Sequence, residues 1–138
     1  MCGRFTRFTP AADIAKAFIA VASPVEIRPS YNIAPTRSIY VVKGGSSRAM
    51  SDCRWGLVPV WSKDVSRASS MINARVESVR EKPSFRNLLS GNRCVIPING
   101  YYEWKQLPRV GKVRAKQPYY FSHSNDSQYC HDGMLVIA

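Results

Sequence analysis

Apolar residues along this chain fall mostly in short bursts, and only two stretches space them as a helix would. In FTPAADIAKAFIAV (8–21), Ile14, Ala17, Phe18 and Val21 share one face of a 3.6-residue period. Thr9 stands where a capping residue belongs and Pro10 fits a first turn, so a helix is expected here. PSFRNLLSGN (83–92) predicts a second, shorter helix, capped by Ser84 and stopped near Gly91. The remaining apolar runs read as strands. SIYVVKGGSSRAMSDCRWGLVP (38–59) gives two arms rich in β-branched and aromatic residues, joined at Gly44 and Gly45. RCVIPINGYYEWK (93–105), KQPYYFSH (116–123) and GMLVIA (133–138) supply more. The expected fold class is mostly β, of the α+β kind: a folded sheet or barrel with peripheral helices.

No repeat, low-complexity tract or linker divides the sequence, and 138 residues suit a single domain over 1–138. The final run, GMLVIA, stops inside an apolar strand. That pattern predicts a fold incomplete at its C-terminus, or an exposed terminal strand through which copies self-associate.

Charge narrows the partner. Twenty Lys and Arg against nine Asp and Glu give a formal net charge of +11 and a pI near 9.9. An excess of that size attracts polyanions, and nucleic acid is the expected one. No apolar run approaches the ~20 residues that span a bilayer, and no basic amphipathic helix has a bulky apolar face. Membrane partners are therefore not expected. The N-terminus lacks a signal pattern, so the expected location is the cytoplasm, at the nucleoid. Cys2, Cys53, Cys94 and Cys130 show no C-x-x-C spacing, and His123 and His131 do not fall at ligand spacing. No disulfide frame, metal or cofactor is expected.

The opening MCGRF places a cysteine directly behind the initiator methionine. Methionine removal makes Cys2 the N-terminus, with an α-amine and a thiol on adjacent carbons. By position alone, such a cysteine is as readily a small buried hydrophobe.

The segments MCGRF, SYNIAPTR, RWGLVPVWS, INARVES, RCVIPINGYYEWK and QPYYF occur in the order and spacing of the SOS-response-associated peptidase (SRAP) family. The chain resembles that family from Met1 almost to its end. The resemblance implies a protein that recognises abasic sites in single-stranded DNA and forms a covalent crosslink to them, with peptidase- or lyase-type activity. It assigns catalytic roles to Cys2, Asn73 and Glu103. Cys2 would form an imine with the ring-opened sugar aldehyde and then close a thiazolidine; Asn73 would hydrogen-bond the reacting amine; Glu103 would pass protons. The same resemblance gives Arg4 and Arg75 a grip on phosphates and Trp61 a wedge against the bases. Arg7, Arg80, Lys82 and Arg86 are expected as non-specific phosphate contacts, and Trp55 and Trp104 as core. The family continues through a segment bearing a catalytic histidine. Neither His123 nor His131, both read as lying at turns, has that context, so slowed chemistry is expected.

Two other classes compete. An N-terminal-nucleophile amidotransferase also starts Cys-Gly, but its glutamine pocket and four-layer α/β fold are not evident, and it gives no reason for the charge. A DNA-binding fragment without chemistry would keep the basic groove alone. A glutaminase assay identifies the first, and binding that survives loss of Cys2 without any crosslink identifies the second.

Overall fold

The hairpin predicted around Gly44 and Gly45 forms the centre of the larger sheet in the computed structural model, which describes residues 3–109, 111–112, 114–123 and 130–137, the last run as backbone. Strands β4 (Ser38–Lys43) and β5 (Arg48–Arg54) pair antiparallel from Ser38↔Arg54 to Lys43↔Ala49. Four successive residues of β4 are buried, so both faces of this strand are covered. Alternation sends Ile39 and Val41 to one core and Tyr40 and Val42 to another.

Helix α1 (Ala11–Phe18) closes the second of these cores with Ile14 and Ala15, against Tyr40, Val42 and Met50. The first core lies between two sheets. Phe5 of β1 (Arg4–Arg7) and Ile33 of β3 (Ser30–Ile33) come from one sheet. Ile39, Val41, Cys94, Ile96 and Ile98 come from the other, and Trp55 sits among them. With β2 (Ala20–Val21), β6 (Arg93–Ile98), β7 (Gly100–Gln106), β8 (Lys116–Ser122) and β9 (Cys130–Ile137), the strand orders are β3-β1-β7-β8 and β2-β5-β4-β6-β9. The mostly β expectation holds; among the described residues the sheets do not close into a barrel. The four-layer α/β architecture of an amidotransferase is not what forms.

One residue carries the chain from one sheet to the other. Asn99, between β6 and β7, donates its backbone N–H to the Thr6 carbonyl at 2.9 Å. Its Oδ1 accepts from Phe8 N at 2.8 Å and Thr9 N at 3.3 Å, and its Nδ2 donates to Thr9 Oγ1 at 2.7 Å. These bonds explain why Thr9 caps no helix. Pro10 takes the N-cap position of α1 without a side-chain bond.

The helix is also shorter than its pattern. Ile19 turns left-handed at φ 50°, ending α1, and Ala20 and Val21 become a strand parallel to Arg48 and Ala49. Ala17 and Val21 are consequently exposed, while Ala11 and Ala15 join Ile14 and Phe18 on the inner side. The second helix, α2 (Pro83–Arg86), has Lys82 rather than Ser84 at its N-cap. Trp104 is 39% exposed on β7, not core, whereas Trp55 is 1% exposed. His131 falls within β9 instead of at a turn.

Arg7 departs furthest from its expected role. It is buried, so it contacts no phosphate. Its Nη2 donates to the carbonyls of Ile27 (2.7 Å) and Arg28 (2.6 Å), its Nη1 to that of Thr9 (3.2 Å), and its guanidinium lies 4.9 Å from the Tyr40 ring centre. Burial lowers its pKa and Tyr40 partly offsets this. The main-chain carbonyls replace the water a guanidinium would otherwise hold, which is how a charge is kept inside.

Burial raises the Cys53 thiol and pushes Cys94 up to about 11, with Cys53 as its next cause. Unfolded cysteine ionises near 8.5. The Cys94 contribution to stability is therefore complete below that pH and is lost as pH climbs from there toward about 11, because only the unfolded chain releases its proton in that window. A thiol reagent at pH 8 should leave Cys94 unmodified in the folded protein and label it after denaturation. Equal labelling rates in the two states would show the thiol is neither buried nor raised.

Candidate functional site

The site is built on β1. This strand is held on both sides, by Phe5↔Ile33 toward β3 and by Arg4↔Tyr102, Phe5↔Tyr101 and Thr6↔Gly100 toward β7. The buried Thr6 hydroxyl donates to the Gly100 carbonyl at 3.3 Å and shares a hydrogen bond with the Tyr120 hydroxyl at 2.9 Å. Carried one residue further, the antiparallel register brings the chain at Gly3 beside Glu103. Among the described residues, none but its chain neighbours comes within 4 Å of where a side chain on Gly3 would begin. Cys2 lies outside the described residues.

Glu103 is half-buried on β7, opposite Tyr119 of β8. With Trp104, Lys105, Tyr119 and Phe121 it lines an open cleft of about 440 Å³. The neighbouring rings of Tyr101 and Phe121 stack with centres 5.3 Å apart, within the roughly 4.5–7 Å usual for aromatic pairs.

Asn73 arrives from a loop far away in sequence. Leu57 N donates to the Met71 carbonyl at 3.1 Å and Trp55 Nε1 to the Ile72 carbonyl at 3.2 Å. Ile72 packs against the inter-sheet core that holds Phe5 and Trp55. Phe5 and Tyr101 are cross-strand partners, and Glu103 lies two residues along β7 from Tyr101. Alternation therefore gives Phe5, Tyr101 and Glu103 the same face of this sheet, the face toward which the 71–73 loop is drawn. Asn73 itself is half-buried.

The cations divide. Arg4 belongs to the opposite face of β1 from Phe5 and donates through Nη1 to Asn32 Oδ1 at 2.8 Å. Arg75 stands exposed just after Asn73, its carbonyl accepting from Ser78 N at 3.1 Å. Arg80, Lys82 and Arg86 are exposed.

Trp61 occupies a turn closed by Ser62 N to the Pro59 carbonyl at 2.8 Å, and it is 61% exposed beside the fully exposed Val60. Adjacent large apolar residues on a tight turn make a projecting apolar edge. The run VPVWS contains that signal, and Val60 belongs with Trp61 in it. The turn leads into a 3-10 helix (Val65–Ser70), capped by Asp64 Oδ1 accepting from Ser66 N at 2.8 Å. Among the described residues no group of His, Cys, Asp and Glu could hold a metal ion. Among the described residues no helix is long and apolar enough to cross a membrane.

Known proteins share both sequence and fold with this chain. It is 46% identical over 116 residues to the abasic site processing protein YoqW of Bacillus subtilis (strain 168), covering 82% of this chain and 52% of that protein. The abasic site processing protein HMCES of Gallus gallus is 38% identical over 106 residues, or 67% of this chain and 30% of the relative. The chain thus spans about half the length of the bacterial relative and under a third of the chicken one. A crystal structure of a Bacteroides thetaiotaomicron protein superposes with a TM-score of 0.76 at 24% identity, over 97% of this chain and 58% of the other, and so establishes the fold. A phage-related protein of Bordetella bronchiseptica follows with 0.67 at 28% identity, over 86% and 54%. The family model for the SOS response associated peptidase matches residues 1–137. With that match over nearly its whole length, the chain belongs to the SRAP family.

Proposed function

We propose that this chain binds single-stranded DNA at abasic sites and, once Met1 is removed, joins Cys2 covalently to the lesion. The α-amine of Cys2 adds to the aldehyde carbon of the ring-opened sugar, giving a carbinolamine. Expulsion of its hydroxyl as water leaves an imine, and Glu103 delivers the proton that departing hydroxyl needs. The thiol then adds to the imine carbon, its proton passing to the nitrogen, and a five-membered thiazolidine closes. Aldehyde plus aminothiol gives thiazolidine plus one water, with no change of oxidation state. Asn73 serves the amine by donating or accepting a hydrogen bond without itself changing charge. Arg75, with Arg4, neutralises phosphate, and Trp61 covers the base beside the gap.

The observation that carries this reading is the register of β1. Strand β1 is paired on both sides, and continuing its register with β7 by one residue would set Gly3 beside Glu103, which supports this reading. The +11 charge supports a polyanionic substrate, and the names of the relatives supply the lesion. Intact mass before and after incubation with an abasic single-stranded oligonucleotide tests it. The expected masses are those of the protein without methionine and of a one-to-one adduct short by one water. An adduct that forms equally with methionine retained, or no adduct at all, overturns the reading.

A further inference from the structure

We infer that Trp55 is a positioning residue for the proposed crosslinking reaction, setting Asn73 relative to the strand that carries the N-terminus; this rests on the function proposed above. One indole touches both parts. Its ring packs on Phe5 of β1 with centres 5.0 Å apart and planes tilted by 59°, three residues from Cys2. Its Nε1 donates to the Ile72 carbonyl at 3.2 Å, the peptide group that leads into Asn73.

The backbone of Trp55 leaves the indole little freedom. Trp55 N donates to the Arg37 carbonyl at 2.9 Å, and Thr36 N donates to the Trp55 carbonyl at 2.8 Å. The ring is 1% exposed. It therefore acts as a fixed strut, and the Leu57 to Met71 hydrogen bond at 3.1 Å forms a second tie beside it.

The Ile72 carbonyl and the Asn73 N–H belong to one planar peptide unit. An indole N–H is a donor only, and the carbonyl it satisfies would otherwise turn to seek water. Rotation of that plane reorients the Asn73 backbone and swings its side chain. Asn73 depends for its aim on a hydrogen bond made one residue earlier, by a side chain in another part of the sequence.

The test compares adduct formation by wild type, Trp55→Phe, Asn73→Ala, the double variant and Ile96→Ala, each well below its melting temperature. Phenylalanine keeps a ring against Phe5 and removes the N–H. Ile96→Ala opens a void in the same core and leaves the indole donor in place. Trp55→Phe should slow crosslinking by roughly 10- to 100-fold, the scale of a misplacement of about 1 Å, with DNA affinity unchanged. On the Asn73→Ala background it should slow nothing further, and Ile96→Ala should lower stability but not rate. If Trp55→Phe does not fold, a benzothienylalanine at position 55 keeps both rings and replaces the N–H by sulfur, with the same expectation. Wild-type rate in the donor-less protein, equal slowing on both backgrounds, or equal slowing by Ile96→Ala overturns the inference alone. Failure of the wild-type protein to form any adduct overturns the functional reading and the inference with it.

Discussion

Cys2→Ser is expected to leave a link to abasic DNA that borohydride can trap, and no link that survives heating. Serine is small enough for the initiator methionine still to be removed, so the variant keeps its α-amine. That amine, with a reference pKa near 7.7–8, is partly neutral at physiological pH and can still form the imine. What serine lacks is a nucleophile able to close a ring that resists hydrolysis. The thiol attacks from the same residue, and well-oriented tethered reactants reach effective concentrations of ~10⁵ M or more. Heat-stable adduct should fall to background in Cys2→Ser, while the reduced, trapped product persists. Glu103→Gln behaves differently. It retains both nucleophiles but removes the proposed proton donor, so the same adduct should form more slowly by on the order of 10²–10⁴. A heat-stable adduct in Cys2→Ser would show that the bond is not a thiazolidine at position 2.

The central hairpin was legible because its chemistry is local, whereas β1, β2 and β3 were not among the expected strands. Ser38–Lys43 and Arg48–Arg54 pair around Gly44 and Gly45 as a two-residue period and a flexible joint dictate. The helix was half legible. Ile14 and Phe18 fall on its inner side, but nothing local announces that Ala20 and Val21 will instead pair with Arg48 and Ala49. That pairing is a tertiary preference overriding an apolar period. Arg7 reads as surface because arginine usually is, and its three carbonyl partners at positions 9, 27 and 28 meet it only in the folded chain.

The same distance in sequence hid the candidate site. Asn73 and Glu103 were nameable only through resemblance to a family, since thirty residues of turn, helix and strand separate them without any repeating spacing. What draws the 71–73 loop toward the face of Phe5 and Glu103 is Trp55, a residue whose sequence context marks it only as a strand-end aromatic. Its burial could be anticipated; its indole hydrogen bond to a carbonyl 17 positions along the chain could not.

The residue after Trp55 gives the largest expected loss of stability. Gly56 has φ +127°, a conformation closed to side-chain-bearing L residues by contact with their own backbone. A Cβ there would also overlap the Ala68 carbonyl, with the carbonyl carbon at 2.9 Å and the Ala68 Cβ at 3.2 Å. Backbone offers no rotamer by which to yield. Forcing such a conformation costs about 1–3 kcal/mol, and overpacking a close contact about as much again. A domain with a margin of roughly 5–15 kcal/mol loses a large share of it. Gly56→Ala should therefore melt more than about 10 °C below wild type, if it accumulates folded at all. Gly91→Ala is the control: its Cβ would meet nothing within 4 Å, and no positive φ is required there. It should melt within a few degrees of wild type, since it only reduces the freedom of the unfolded chain. Gly56 also lies between the two ties that hold residues 71 and 72, from Trp55 Nε1 and Leu57 N. The folded fraction of Gly56→Ala should thus lose protection from proteolysis first in the Asn73 loop, while β4 and β5 stay protected. A Gly56→Ala protein that melts with Gly91→Ala, or is cut first elsewhere, would remove Gly56 from the support of this site.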